Sequence, residues 1–196
     1  MIAFFGLALT GFARAATNDT EARVFIENLA DEAIAALTPT DISRDERVRR
    51  ARALLRQNFG VETIAQFVLG RHWRTATPDE RAEFMSLFED FVVDTYVDRF
   101  GRYTGQKLDV YEVTTESATG DAIVRSQIPR AAAEPIQVGW RVRNQADGLK
   151  VIDIYVEGVS LGVTQRSDFA SVIRNKGGTI SGLLEEMRRR ADQTAG

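Results

Sequence analysis

One short motif in this sequence has the residue types of a nucleophilic hydrolase site. Residues 158–162 read Gly-Val-Ser-Leu-Gly and fit the G-x-S-x-G pattern, in which a serine occupies a sharp turn between a strand and a helix. That chemistry also requires a histidine that follows the serine along the chain, on a mostly parallel sheet. The only histidine, His72, precedes Ser160. The motif therefore favours a tight turn in which the serine makes local hydrogen bonds.

Two other residues have side chains suited to acid, base or metal chemistry. His72 has no cluster of ligands around it in the sequence, whereas a zinc site needs three or four. Asp153 interrupts an apolar run at 151–156, where a buried carboxyl could act as a general base. We favour a half-exposed aspartate that pairs with Arg141 or Arg143. We predict no catalytic residue and no bound metal.

Composition excludes several further classes of function. The 196 residues contain no cysteine, which removes cysteine nucleophiles, thiolate metal sites and any disulfide framework. No phosphate-binding loop of the G-x-x-x-x-G-K-[ST] type is present. The 25 Lys and Arg and the 28 Asp and Glu are interspersed, so no basic patch for a polyanion is visible. We predict neither a cofactor nor nucleic acid binding.

The first 15 residues have the pattern of a secretory signal peptide. An apolar run at 2–12 is followed by Ala13-Arg14-Ala15, a small-x-small cleavage site. The run is shorter than the roughly 20 residues that span a bilayer. No basic residue precedes it, which departs from the usual pattern, and a buried N-terminal helix is the alternative. We predict a signal peptide at 1–15 and, because 44% of the residues are hydrophobic, one domain with its own core at 16–196.

The elements that would hold these residues begin with helices. Apolar residues at three- and four-residue spacing predict helices at 20–37, 43–58, 164–174 and 178–190. A short apolar segment occupies 64–69. Thr77-Pro78-Asp79-Glu80 is a capping box with proline at the first helical position, and it predicts the start of a long helix that ends near Gly101.

After Gly105 the apolar period changes from about 3.6 to 2, which is typical of strands. Four segments predict an antiparallel meander, at 107–115, 122–128, 136–143 and 149–156. Because helices and strands are segregated along the chain, the predicted fold class is α+β. The aromatic stripe of the long helix and the alternating strands are expected to face each other. From periodicity alone, plain core is favoured over a ligand cavity.

Three runs of sequence carry a resemblance that periodicity does not give. They are VLGRHWR with TPDERAEF at 68–74 and 77–84, VIDIYVEGVSL at 151–161, and RSDF with GG at 166–169 and 177–178. Together they resemble the MlaC family, the periplasmic phospholipid-binding component of the Mla lipid-transport pathway, also described as toluene-tolerance auxiliary proteins. The likeness extends over about 24–190. The family pattern includes the E-G-V-S-L turn, which accounts for the G-x-S-x-G match, whereas Gly139-Trp140 departs from it.

The resemblance implies an α+β domain in which a curved four-stranded sheet and helices enclose a deep apolar cavity for acyl chains. At about 0.8 kcal/mol per buried methylene, two chains with about 30 methylenes represent roughly 24 kcal/mol, so the cavity must be deep. Combined with periodicity, the resemblance gives as candidate lipid-binding residues Leu69, Trp73, Phe84, Phe88, Phe91, Tyr96, Val110, Val124, Val138, Trp140, Ile152 and Ile154.

The partners that the resemblance implies are phospholipid and two membrane complexes. The expected protein is a passive periplasmic carrier that docks transiently on the outer-membrane Mla lipoprotein complex and on the inner-membrane Mla ABC transporter, and so maintains outer-membrane lipid asymmetry. Three alternatives stay open. They are a relative of the same fold that handles hopanoid or other triterpenoid lipid, a small hydrolase or isomerase that uses Ser160 or Asp153, and a structural adaptor with a solid core.

Overall fold

Helices come first along the chain, an antiparallel sheet follows, and two further helices close the fold. The computed structural model describes residues 17–100 and 106–195, so the signal peptide expected at 1–15 lies outside the described residues. The helices are α1 (Asp19–Leu37), α2 (Arg44–Asn58), α3 (Val61–Leu69), α4 (Arg71–Thr75), α5 (Pro78–Phe100), α6 (Leu161–Asn175) and α7 (Ile180–Ala195). The strands are β1 (Asp109–Thr115), β2 (Ala122–Arg130), β3 (Ala133–Gln145), β4 (Gly148–Val156) and β5 (Val159–Ser160).

The capping box predicted before α5 is present. The Thr77 amide donates to the Glu80 carboxylate at 2.9 Å, and the Glu80 amide donates to Thr77 Oγ1 at 3.2 Å. These two bonds satisfy amides that have no partner inside the helix. The short apolar segment at 64–69 is part of helix α3. Helix α4 was not predicted, because its five residues are too few to show a period.

The strands pair in chain order, each antiparallel to the next. The four predicted strands are confirmed, and the structure adds the two-residue strand β5. Glu157 and Gly158 form the turn between β4 and β5, with φ of 50° and 79°. Positive φ at both turn residues matches the twist of a tight hairpin. A strand of two residues has no readable period, which explains why the sequence did not predict β5.

One surface of the sheet, here called the inner face, is apolar. Register places Val124, Trp140 and Ile154 opposite one another on β2, β3 and β4. Val110 and Val138 both lie opposite Ser126, one pleat further along. Helix α1 covers one end of this face and forms the sheet cluster, whose buried members are Ala22, Ile26, Leu29, Ala122, Val124, Val142 and Val151.

The aromatic stripe of α5 packs on helices and not on the sheet. The rings of Phe84 and Phe88 stack with centroids 5.7 Å apart, and Phe169 of α6 meets the edge of both. Residues of α3, α6 and α7 complete this helix cluster. The expectation that the stripe faces the strands is therefore wrong for Phe84 and Phe88. Periodicity identifies the residues that share a helix face, but it does not identify what that face contacts.

A third, smaller apolar cluster lies between α2 and α5 and contains Leu55, Val93 and Val97. Phe59 packs against both this cluster and the sheet cluster, whereas Val61 and Val92 pack against both this cluster and the helix cluster. These three partly buried residues, here called the seam, join the sheet layer to the helix layer. The interior is thus divided into clusters with a few shared side chains.

The outer face of the sheet carries a buried ion pair. Asp121 is fully buried and accepts two hydrogen bonds from Arg143, from Nε and Nη2, each at 2.7 Å. Hydrogen bonding to Asp121 raises the pKa of Arg143. Arg141 lies 3.7 Å from the same carboxylate and 3.3 Å from Glu116. The predicted pairing of Asp153 with Arg141 or Arg143 is therefore wrong.

Helix α7 contains a carboxylate with a strongly lowered pKa. Hydrogen bonds from Arg189 and Arg190 lower the pKa of Glu186 from 4.5 to about 2. Because the folded pKa lies below the unfolded one, this contribution to stability is complete above about pH 4.5 and is lost as the pH falls through about 2. We expect Glu186→Gln to lower the midpoint of thermal unfolding at pH 7.

The pH dependence distinguishes this effect from a general loss of charge. The difference between wild type and Glu186→Gln should shrink as the pH falls through about 2, because Glu186 becomes protonated there and is then neutral like glutamine. Glu185→Gln is the matched control, because Glu185 is an exposed neighbour with no ion pair among the described residues. An equal loss of stability in both variants at pH 7 would contradict the assignment.

Candidate functional site

The inner face brings together five of the predicted lipid-binding residues. Val124 and Val138 are buried there, while Val110, Trp140 and Ile154 are only partly buried. Beyond the end covered by α1, the same face continues with Ile128 and Ile136, which lie opposite each other and are also partly buried. The face is therefore a continuous apolar surface with incomplete cover.

Ile152 does not share this arrangement. The register shifts between β3 and β4, so that Val151 lies opposite Val142 while Asp153 lies opposite Arg141. Ile152 is the residue left between them, and its Cγ2 would lie 3.0 Å from a Cβ built on Gly60. The bulge thus directs Ile152 toward the start of α3, and Val151 joins the sheet cluster. A prediction that alternates residues strictly between the two faces of a strand cannot anticipate such a bulge.

The indole of Trp140 is held by a polar residue that sequence reasoning missed. Trp140 Nε1 donates to Ser126 Oγ at 2.9 Å, and the Ser126 hydroxyl donates to the Val138 carbonyl at 3.0 Å. Ser126 is fully buried, so both of its hydrogen bonds form away from water. The signal was available, since Ser126 occupies an inward position of β2 between two apolar residues. These bonds fix the ring on the inner face and leave that face otherwise apolar.

The other six candidates lie on helices. Leu69, Phe84 and Phe88 are buried within the helix cluster, and Trp73 and Phe91 pack against its edge. The Arg81 guanidinium lies over the Trp73 ring, 5.5 Å from its centroid. Tyr96 is partly buried near the end of α5. The structure thus separates the predicted residues into a sheet group and a helix group on either side of the seam.

A cleft of about 310 Å³ opens between α5, α6 and α7. Apolar and charged side chains both line it, among them Phe91, Phe169, Val172, Leu183, Glu186 and Arg190. This volume is close to the lower limit for ligand pockets, about 300 Å³. A second cleft of about 380 Å³, near the turn between β3 and β4, is lined mainly by charged and polar residues that include Arg56, Glu62, Glu89, Asp147 and Lys150. Its lining does not suit an acyl chain.

Ser160 has a structural role at the start of α6. Its hydroxyl donates to Asp153 Oδ2 at 2.6 Å and accepts from the Val163 amide at 2.9 Å, which makes it the N-cap. Asp153 Oδ1 accepts from the Gly162 amide at 3.0 Å and from its neighbour Ile154 at 2.9 Å. The predicted turn with a locally hydrogen-bonded serine is confirmed. Asp153 anchors this turn to β4.

His72 lies in α4, and in the part of the chain that the structure describes its side chain makes no hydrogen bond to the serine turn. Arg71 Nε lies 3.4 Å from His72 Nε2. Burial, and secondly the charge of Arg71, lower the pKa of the imidazole. Among residues 17–100 and 106–195, no group of three or more acidic or histidine side chains could hold a metal ion. Within those ranges, no helix is long and apolar enough to cross a membrane.

The fold and the inner face define a class of protein. A meander sheet with a continuous apolar face, covered by helices at one end, is an α+β architecture suited to holding an apolar ligand between two layers. The profile of the MlaC family, described as MlaC protein, matches residues 27–189, and the chain belongs to this family. The family membership and the fold class predicted from the sequence are therefore confirmed.

Two known proteins are similar along most of their length. The chain is 23% identical to the intermembrane phospholipid transport system binding protein MlaC of Haemophilus influenzae, over 94% of this chain and 90% of that protein. The phospholipid-binding protein from Ralstonia solanacearum, solved in complex with a phospholipid, has the same fold with a TM-score of 0.76. Its sequence is 24% identical, and the match covers 89% of this chain and 99% of the other.

Proposed function

We propose that this protein is a periplasmic phospholipid carrier that holds acyl chains against the inner face of the sheet and leaves the headgroup outside. The observation that carries the proposal is the incomplete cover of that face, where Val110, Trp140 and Ile154 remain partly exposed. The family membership supports it, as does the phospholipid-transport name of the Haemophilus relative.

Two acyl chains need more room than the described clefts offer. Their burial is worth roughly 24 kcal/mol at about 0.8 kcal/mol per methylene, so most of their length must leave water. Helix α5 packs mainly on α7, α2, α3 and α1, and in the described ranges no strand is among its principal neighbours. We infer that the chains enter by parting the two layers at the seam, where Phe59, Val61 and Val92 are the apolar side chains that the clusters share.

Transfer in this mechanism requires no covalent step. The lipid is received from one membrane complex, shielded between the two layers, and released to another by transient docking. We propose the outer-membrane Mla lipoprotein complex and the inner-membrane Mla ABC transporter as these partners, because the chain belongs to the MlaC family. A hydrolytic function has no comparable support, since the Ser160 hydroxyl bonds to Asp153 and to the Val163 amide.

The two tryptophans allow a direct test of where the chains lie. Trp73→Phe leaves Trp140 on the inner face as the only tryptophan, and Trp140→Phe leaves Trp73 beside the helix cluster. The protein should be loaded with a phospholipid that carries bromine on its acyl chains. We expect bromine to quench the fluorescence of Trp140 by at least about half relative to the unbrominated lipid, because quenching needs near contact.

The outcomes separate the competing functions. Quenching of Trp73 with no quenching of Trp140 would contradict binding against the sheet and would place the chains beside the helix cluster. Native mass spectrometry of the wild-type protein, followed by lipid extraction, identifies the cargo. Extraction of a diacyl phospholipid would support the proposal. Extraction of a triterpenoid would show that the protein carries a different class of lipid. A bare polypeptide that also takes up no lipid from vesicles would favour a structural adaptor.

A further inference from the structure

Three large apolar side chains are exposed together at the junction of α3, β5 and α6. Phe67, Val159 and Val163 are 40%, 58% and 56% exposed, and they are three of the five large apolar side chains exposed among the described residues. Gly162 lies directly against Phe67, because a Cβ built at position 162 would be 3.3 Å from the Phe67 ring. None of the three lines either cleft described above. This junction is therefore an apolar surface outside the proposed lipid site.

One arginine contacts this junction, and two more follow Gly70 along α4. The Arg166 guanidinium lies 5.3 Å from the centroid of the Phe67 ring and borders Gly70, where a Cβ would be 3.1 Å from it. Arg71 follows Gly70 directly, and Arg74 lies one helical turn further along α4. In the described part of the chain, no carboxylate lies within ion-pair distance of these arginines. Arginines on α2 and α7 do form such pairs, for example Arg56 with Glu89 and Arg190 with Glu186.

We propose that this patch, formed by Phe67, Val159, Val163, Arg71, Arg74 and Arg166, docks the protein on the surface of an anionic phospholipid bilayer. Apolar side chains enter the boundary between headgroups and acyl chains, while arginines meet phosphates in bidentate fashion. The acidic neighbour Glu157 keeps its negative charge, and its carboxylate accepts from the Gln137 amide at 3.0 Å, but the three arginines outnumber it. The inference goes beyond the proposed function, since a carrier could exchange lipid through protein partners alone.

A bilayer fits the patch better than a folded acidic partner does. The apolar side chains come from three separate elements and form no groove among the clefts described, so a protein would need a closely complementary surface. A fluid headgroup layer adapts to individual side chains. The charge of the patch supplies the attraction, because each arginine near an anionic membrane contributes about fivefold to the binding constant.

Vesicle co-sedimentation tests the proposal. We expect the purified wild-type protein to bind vesicles that contain phosphatidylglycerol and not to bind vesicles of pure phosphatidylcholine. Binding should weaken as the salt concentration is raised. The triple variant Arg71→Gln, Arg74→Gln, Arg166→Gln should bind about 100-fold more weakly at low salt. Val163→Asn should also weaken binding, whereas Val163→Leu should preserve it.

The control is the double variant Arg174→Gln, Lys176→Gln at the far end of α6, which removes exposed cations that have no carboxylate partner among residues 17–100 and 106–195. A loss of about 25-fold in this variant, the same fivefold per cation, would show that net charge, not the patch, sets the binding. If the wild-type protein binds neither kind of vesicle, the proposal is overturned, and an acidic protein becomes the better candidate for binding to the patch. Lipid content by native mass spectrometry is measured in parallel, so failure of the patch and failure of the carrier function are distinguishable.

Discussion

Asp121→Asn is expected to lower the free energy of unfolding by about 3–5 kcal/mol, the usual loss when one partner of a buried ion pair is removed. The carboxylate is fully buried and accepts two 2.7 Å hydrogen bonds from Arg143. An amide has one acceptor oxygen where the carboxylate has two, so this paired geometry is lost, and the partly buried guanidinium loses the charge that it pairs with. At about 2–4 °C per kcal/mol for a chain of this size, the thermal midpoint should fall by about 10 °C.

A surface ion pair on the adjacent strands provides the control. Glu112 of β1 pairs with Arg125 of β2, and both side chains are nearly half exposed. Glu112→Gln should therefore change the free energy of unfolding by no more than about 1 kcal/mol. Circular dichroism during thermal unfolding measures both variants. If Asp121→Asn and Glu112→Gln differ by less than 1 kcal/mol, the Asp121 pair does not have the assigned role.

Ile154→Glu is expected to remove bound lipid from the purified protein. Ile154 lies opposite Trp140 on the inner face and is partly buried, so the new carboxylate would point at the proposed acyl chains. An ionised group beside hydrocarbon costs several kcal/mol unless it is paired. We expect at least a tenfold drop in the ratio of lipid to protein, measured by native mass spectrometry and by phosphate assay after extraction.

Ile123→Glu makes the same chemical change on the outer face of the sheet. Ile123 is partly buried and lies opposite Arg141 on β3, where a new carboxylate can find a positive partner. Its lipid content should equal that of wild type. Equal lipid loss in the two variants would mean that the sheet is damaged in general, and lipid retention in Ile154→Glu would contradict binding at the inner face. Circular dichroism establishes whether each variant is folded.

Local signals in the sequence were sufficient to predict most elements. The capping box at Thr77 and Glu80 is a short-range pattern with its own hydrogen bonds, and it forms as predicted. The period of two identified the members of the inner face on β2 and β3, where the register between the strands continues without interruption through Trp140. The same rule misplaced Ile152, because a bulge depends on the partner strand and not on the alternation of one strand.

Long-range partners could not be predicted from the same signals. The sequence marks Asp153 as a carboxyl within an apolar strand, but its partners Ser160 and Gly162 depend on the turn that follows. Likewise, nothing local to Asp121 indicates that Arg143, 22 residues later, returns beside it. The aromatic stripe of α5 has a clear period, whereas its contact with α6 is a property of the assembled helices.

The sheet and the first helix differ in how far apart in the chain their contacts lie. Every strand pairs with its neighbour in sequence, whereas Arg23 of α1 reaches the carbonyl of Val110, 87 residues later. Thr17 is bound in the same way, since its amide donates to the Gly120 carbonyl at 3.0 Å. Contacts between residues close in sequence form quickly, whereas contacts between distant residues form more slowly because a long loop must close first. The meander can therefore assemble before α1 packs on it, so that α1, although synthesised before the strands, is among the last elements to reach its native place.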